Sequence, residues 1–239
     1  MPVTGPACVI ALGGNAILRK GERGLVREQL ANIERTCQDL LPLLCAEGQI
    51  LITHGNGPQI GNLILSLEIA GGKFPLLPID VCGAMTQGSI GSMLQRSLIN
   101  CLNQAGITRP VVTVVTQVVV DALDEAFWHP TKMIGPYFTA EEAETLRREA
   151  GWTVLEDTRG GYRRVVASPK PLEIVERRTI NALAQNGAVV ICCGGGGLPV
   201  IRSGDGTLVP IEGVIDKDLA AAQLALDLGA QRLLILTDV

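Results

Sequence analysis

Short runs rich in β-branched and aliphatic residues alternate along the chain with longer stretches whose apolar positions recur every three or four residues. Residues 7–13 (ACVIALG) and 49–53 (QILIT) have the continuous apolar character of buried strands. Between them, Leu30, Ile33, Cys37, Leu40, Leu41 and Leu44 line one face of a helix predicted over residues 26–46, which Pro42 is expected to end or kink. A second helix is predicted from about Pro58, where proline suits a first turn. A third is predicted over residues 81–104, with Gly83, Gly88 and Gly91 expected to allow close packing. Residues 110–121 (PVVTVVTQVVVD) predict one long strand. Residues 187–193 and 232–239 predict two more, following helices at about 171–186 and 216–228. Strands separated by helices imply an α/β protein with a mostly parallel sheet covered on both faces. Such sheets place ligands beyond the carboxyl ends of their strands, and the glycine-rich turns of this chain fall at such ends.

Between about residues 121 and 170 the pattern changes. "HPTKMIGPYF" is a loop broken by proline and glycine, and "TAEEAETLRREAG" starts a helix with a capping-box pattern from Thr139 to Glu142. "WTVLEDTRGGYRRVV" reads as two short strands around a glycine turn. The segment is expected to be an inserted lobe in one domain spanning residues 1–239. Further on, "VIRSGDGTLVPIEGV" predicts a hairpin with Asp205-Gly206 at its turn.

Composition narrows the function classes. Apolar residues make up 47% and charged residues 18% of 239, so a sizeable core is available. Aromatic residues are only 3%, and the formal net charge is -4. Both argue against a nucleic-acid surface, and any anion site must be local. Seven cysteines without a CxxC spacing read as small buried hydrophobes in a reducing cytosol. With only His54 and His129 available, a structural zinc site is not expected. The N-terminus lacks the basic region and apolar length of a signal peptide. No uninterrupted apolar run reaches the ~18 residues of a membrane span, so a cytoplasmic location is expected.

The chemistry begins with "ALGGNAIL" (11–18), which fits neither GxGxxG nor the P-loop. "GGN" (13–15), "HGNG" (54–57) and "GGGG" (194–197) each follow a strand. Singly, each turn reads as ordinary punctuation. Together, two of them carrying asparagine, they point to a shared anion site, because glycine lets backbone N–H groups approach a phosphate closely. Lys217, between Asp216 and Asp218, falls at a helix start, where a cation opposes the helix dipole. It is either part of a solvated charged cap or a bridge to phosphoryl oxygens. Lys132 is the one charge in "HPTKMIGP", either a surface lysine or a substrate contact. Asp80, Asp121, Asp157 and Asp238 stand near element ends and are candidates to orient lysines or reach Mg²⁺ through water. No GxSxG elbow, HExxH or Cys-His nucleophile arrangement is evident.

Taken together, "VIALGGNAIL", "THGNGPQIGNL", "MTQGSIG", "TQVVVDALDEAF", "PTKMIGPYFT", "RRVVASPKPLEIVE", "CGGGGLPV", "VIDKDLAAA" and "LILTDV" resemble the carbamate kinases of the amino-acid kinase superfamily. The resemblance implies a three-layer αβα sandwich with an open, mostly parallel sheet and a small protruding subdomain. It implies reversible phosphoryl transfer between carbamoyl phosphate and ADP, giving ATP and carbamate, with Mg²⁺ and a homodimer. On the same ground, Lys217 stabilises the transferred group, Lys132 reaches the carbamoyl or phosphate moiety, and Asp218 positions the lysines. Gly13, Gly14, Asn15, Gly55, Asn56 and Gly57 surround the phosphoryl group, while Gly195, Gly196, Thr237 and Asp238 belong to the nucleotide region. Two departures stand out. Residues 156–163 read "EDTRGGYR" where the family reads "EDAGRGYR" or "EDAGRGWR". The family also continues past "LTDV" to a "GSM-x-PK" motif with another catalytic lysine, so this chain is expected to be a C-terminally truncated piece. The alternatives are a related small-acid kinase and a non-catalytic anion-binding fragment.

Overall fold

The first strand divides its side chains between two cores, and this sets the layers of the molecule. In the computed structural model, which describes residues 5–19, 21–45, 48–69, 77–158 and 160–237, β1 (Ala7–Leu12) is buried throughout. Cys8, Ile10 and Leu12 enter one apolar cluster, while Ala7, Val9 and Ala11 enter another. Alternation with a period of two sends neighbours to opposite faces, so an unbroken apolar run needs both faces covered. α1 (Val26–Cys45) and α3 (Ile79–Gln104) cover the first face. α5 (Arg177–Gln185) and α6 (Lys217–Leu228) cover the second.

The central sheet adds β2 (Gln49–His54), β3 (Val111–Thr113), β9 (Val189–Ile191) and β12 (Arg232–Leu236) in the order β12-β1-β2-β9-β3. Every pairing in it is parallel. Leu12 stands level with both His54 and Leu236. The chain therefore leaves these strands along a single edge.

Several expectations need correction. Residues 110–121 do not form one strand: β3 stays in the central sheet, whereas β4 (Gln117–Val120) belongs to a second sheet with β8 (Pro171–Ile174), β10 (Leu198–Arg202) and β11 (Leu208–Pro210), ordered β11-β10-β4-β8. The break is a polar corner at buried Thr116. Its N–H donates to Gln87 Oε1 at 2.8 Å, and its carbonyl accepts from Gln87 Nε2 at 3.1 Å. Residues 171–186 do not form one helix either, because β8 (Pro171–Ile174) pairs antiparallel with β4 before α5 begins. Finally, Pro42 lies within α1 rather than ending it. Its ring faces solvent, and burial of Leu44 holds the last turn in place.

Close packing explains two glycines of α3. A Cβ at Gly91 would overlap Thr113 Cγ2, and one at Gly83 would lie 2.9 Å from Leu198 Cδ2, whereas Gly88 faces open space. In the second sheet, β10 (Leu198–Arg202) and β11 (Leu208–Pro210) form the expected hairpin, with Asp205 Oδ1 accepting from Thr207 N.

A third sheet, β5-β7-β6, comprises β5 (Lys132–Phe138), β6 (Val154–Glu156) and β7 (Tyr162–Val166), all antiparallel, so most of "HPTKMIGPYF" is not the expected loop but a strand paired with β7, its register shifting between Ile134 and Phe138. α4 (Ala140–Glu149) starts with the predicted reciprocal capping box of Thr139 and Glu142. This unit packs on α2 (Gly57–Ile69) through Ile60, Ile64, Ile134, Phe138 and Trp152. The approach is backbone to backbone: a Cβ at Gly61 would overlap Gly135 Cα. Packing against α2 therefore carries Lys132, the first residue of β5, towards the edge where the parallel strands end.

Candidate active site

At that edge two glycine turns come together. Gly13 N donates to Leu236 O at 2.7 Å, and Gly55 N donates to Leu12 O at 3.2 Å, so both turns hang from the last ladder positions. A Cβ at Gly55 would lie 3.3 Å from Lys217 Cδ and 3.9 Å from Gly14 N. The aliphatic stem of Lys217 thus lies across Gly55, with the Gly14 amide beside it. At Gly14 and Gly57 an added Cβ would meet nothing within 4 Å among the described residues.

Asn56 is buried and donates through Nδ2 to Thr86 Oγ1 at 2.8 Å. A Cβ at Gly195 would overlap the Asn56 amide, and one at Gly196 would overlap Ile215 O. Gly194–Gly196 form a buried 3-10 turn, entered through Cys193 in the left-handed region at φ 50°. That turn is held by Cys193 N donating to Thr116 Oγ1 at 2.9 Å. The Gly195 and Gly196 backbone therefore supports the site from beneath. Thr237 is exposed beside Gly13, whose added Cβ would lie 3.4 Å from Thr237 Cα, and Asp238 lies outside the described residues.

The charges are paired. Lys217 opens α6 behind the N-cap Asp216, and its Nζ donates to Asp218 Oδ1 at 2.6 Å. Lys132 Nζ donates to Asp216 Oδ2 at 2.6 Å. Asp216 Oδ1 accepts from Asp218 N at 2.9 Å and Leu219 N at 3.4 Å, which caps the helix. Burial opposes ionisation of Asp216, but the hydrogen bond and charge of Lys132, with the capping amides, hold its carboxyl below the usual range. Both lysines are thus ammonium ions held on carboxylates at one helix N-terminus.

His54 lies under the same turns. It is buried, and its Nδ1–H donates to Gly55 O at 2.9 Å, since a carbonyl can only accept. Burial pushes its pKa down to about 4, so the ring stays neutral near pH 7. Asn15 lines a cleft of about 1050 Å³ with Arg19, Arg23, Asn62, Tyr137 and Arg163. Arg163 is anchored there by donating to Gly135 O from Nε and Nη2, with its guanidinium 5.2 Å from the Tyr137 ring.

The structure brings Lys132, Lys217, Asp218, the two asparagine turns, Gly195, Gly196 and Thr237 to one end of the sheet. Asp80 lines a small cavity with Asn56 and Gly195. Asp121 is engaged elsewhere, accepting from Leu123 N, while Asp157 pairs at 3.7 Å with Arg163, which lines the cleft beside Asn15. Sequence reasoning missed the contact between Asp216 and Lys132, whose residues lie 84 positions apart. It also missed Thr86 and Thr116 as supports of the turns. The available signal was the aspartate on each side of Lys217, more carboxylate than one lysine needs.

Comparison with known proteins identifies the family. The Amino acid kinase family pattern matches residues 6–239. A carbamate kinase of Thermococcus kodakarensis is 47% identical over 234 residues, 97% of this chain and 74% of that protein. The solved carbamate kinase from Giardia lamblia bound to citric acid has a TM-score of 0.94 at 42% identity, covering 99% of this chain and 76% of that one. The Giardia lamblia enzyme bound to AMP-PNP gives 0.89 at 42% identity, covering 99% and 75%. Together with a fold shared along nearly its whole length, these matches show that the chain belongs to the amino acid kinase family, among its carbamate kinases.

Proposed function

We propose that this protein is a phosphotransferase that moves a phosphoryl group reversibly between carbamoyl phosphate and ADP, giving ATP and carbamate. One observation carries the reading: Lys217 lies across the Gly55 turn at the carboxyl ends of a parallel sheet with its ammonium on Asp218, and the Lys132 ammonium joins the same helix start through Asp216. Carbamate oxygen is already anionic, so the reaction needs no strong general base. It needs alignment of donor and acceptor, and neutralisation of the equatorial oxygens.

Lys217, preset across Gly55, neutralises the transferred group, and Asp218 fixes its ammonium. Lys132 reaches the carbamoyl or phosphate end from the segment at about 121–170, which serves as the substrate lobe. The turns of Gly13, Gly14 and Asn15 and of Gly55, Asn56 and Gly57 surround the phosphoryl position, the Gly13 and Gly55 amides holding them to the sheet and the space above Gly14 and Gly57 receiving the group. Gly195, Gly196, Thr237 and Asp238 belong to the nucleotide side. Asp216 and Asp218 are committed to lysines, which fits a Mg²⁺ that arrives on the nucleotide phosphates and keeps most of its waters. When bound, that ion adds charge neutralisation to what the lysines supply. Val81 and Met85 are exposed on α3 at helical spacing from Gly88, a face suited to a homodimer.

The test is ATP formation from carbamoyl phosphate and ADP. Lys217→Ala is expected to lower turnover by on the order of 10²–10³, as for loss of an oxyanion donor. Near-normal turnover in that variant would remove the assignment. ATP formed from another small acyl phosphate, but not from carbamoyl phosphate, would point to the related acid kinase, motivated by the altered 156–163 segment.

A further inference from the structure

Asp216 uses its two carboxylate oxygens for two different elements. Oδ1 caps α6 through the amides of Asp218 and Leu219, and Oδ2 holds the ammonium of Lys132 at 2.6 Å. Lys132 opens β5, whose backbone rests on α2 at Gly135 and Gly61, whereas α6 begins with Lys217. The Lys132 and Asp216 side chains are about one-third exposed, and Lys217 is more buried at 19%. Lys217 therefore has a preset position across Gly55, while Lys132 depends on a partner at the far end of a flexible stem.

We propose that Asp216 is a positioning residue: it registers Lys132 of the β5 strand against the N-terminus of α6, so that both ammonium groups converge on one anion. The inference rests on the reading of Lys132 and Lys217 as the two cations around the transferred phosphoryl group. It assigns Asp216 to Lys132 and leaves Asp218 to Lys217, dividing a task that the sequence resemblance gives to Asp218 alone.

The division has a consequence opposite in sign to simple electrostatics. A carboxylate beside an anion site repels the anion, so a role through charge alone predicts that Asp216→Asn tightens carbamoyl phosphate binding. Positioning predicts the reverse, because the amide keeps an oxygen for the helix cap but removes the negative partner of Lys132. The expected result for Asp216→Asn is an affinity for carbamoyl phosphate weakened by about tenfold, the scale of one charge-assisted contact. The KM for carbamoyl phosphate should rise by more than kcat falls.

The deciding experiment is a double-mutant cycle on the full chain with Lys132→Met, Asp216→Asn and both together. Carbamoyl phosphate binding is read by calorimetry and ATP formation by kcat and KM. If Asp216 acts through Lys132, Asp216→Asn has no further effect once Lys132 is methionine. Additive losses in the cycle would overturn the proposal, because damage to the cap or fold weakens binding whatever residue stands at 132. Tighter or unchanged binding in Asp216→Asn would overturn it as well. Unaltered binding and turnover in Lys132→Met alone would instead remove the reading of Lys132 on which the proposal stands.

Discussion

Gly14 and Gly195 occupy the same neighbourhood for different reasons, and substitution separates them. At Gly195 the backbone is left-handed, φ 66°, and any Cβ would overlap the Asn56 amide. Glycine there is demanded by the protein itself. At Gly14 an added Cβ meets nothing within 4 Å among the described residues, so they accept alanine there. Alanine should even restrict the unfolded chain and stabilise slightly, by a few tenths of a kcal/mol up to about 1. Free space at a turn that gains nothing from glycine in packing is space for a ligand. Gly14→Ala is therefore expected to melt at or above the parent temperature while binding carbamoyl phosphate more weakly. Gly195→Ala is expected to melt lower. Thermal denaturation with parallel calorimetry reads both, and unaltered binding in Gly14→Ala would deny that this turn is part of the anion wall.

Among the elements, the parallel sheet, its helices and the capping box of α4 were legible because each is a local pattern repeated over several residues. The misread elements share a cause. The run 111–116 is uniformly β-branched, so nothing up to Thr116 itself marks that residue as a corner; the corner is made by Gln87, 29 residues earlier. β8 is four residues long and becomes a strand by pairing with β4. The site was legible as residue types at strand ends, but the pairing of Lys132 with Asp216 exists only after β5 has docked on α2. Arg109 is a further element-scale feature without a sequence signature. Its guanidinium donates to Leu44 O, Gly48 O and Gly187 O at 3.1, 2.6 and 2.9 Å. These bonds join the end of α1 to the turns leading into β2 and β9, at the edge opposite the glycine turns. Arg109→Met leaves these carbonyls without their cation and is expected to cost on the order of 3 kcal/mol. Urea unfolding should show that loss with the KM for carbamoyl phosphate unchanged, and an unmoved midpoint would mean that water replaces the guanidinium fully.

The whole molecule is tied to pH by one buried ring beneath its candidate active site. His54 ends β2, donates to Gly55 O, and leaves no room beside it, since a Cβ at Gly194 would lie 2.5 Å from its Nε2. Protonation would place a charge in the core with its second N–H facing that crowded turn. Its pKa of about 4, against 6.5 when unburied, is the thermodynamic statement of that cost. In the unfolded chain the ring takes up a proton as pH falls through 6.5, while the folded ring resists until about 4. Folding stability is therefore complete above that upper value and declines across the interval, by up to about 3 kcal/mol. Asp216 titrates in a lower window, because its carboxyl is held below the ordinary 3.8 and its contribution is lost only in stronger acid. Between pH 6.5 and 4.5 the slope from histidine can thus be read separately. His54→Asn keeps a donor for Gly55 O and cannot titrate in this range. The variant will be less stable at pH 7.5 because it leaves a small void, but its stability should fall less than the parent's between pH 6.5 and 4.5. Urea midpoints at several pH values test this, and equal slopes in the two proteins would show that another group carries the acid sensitivity.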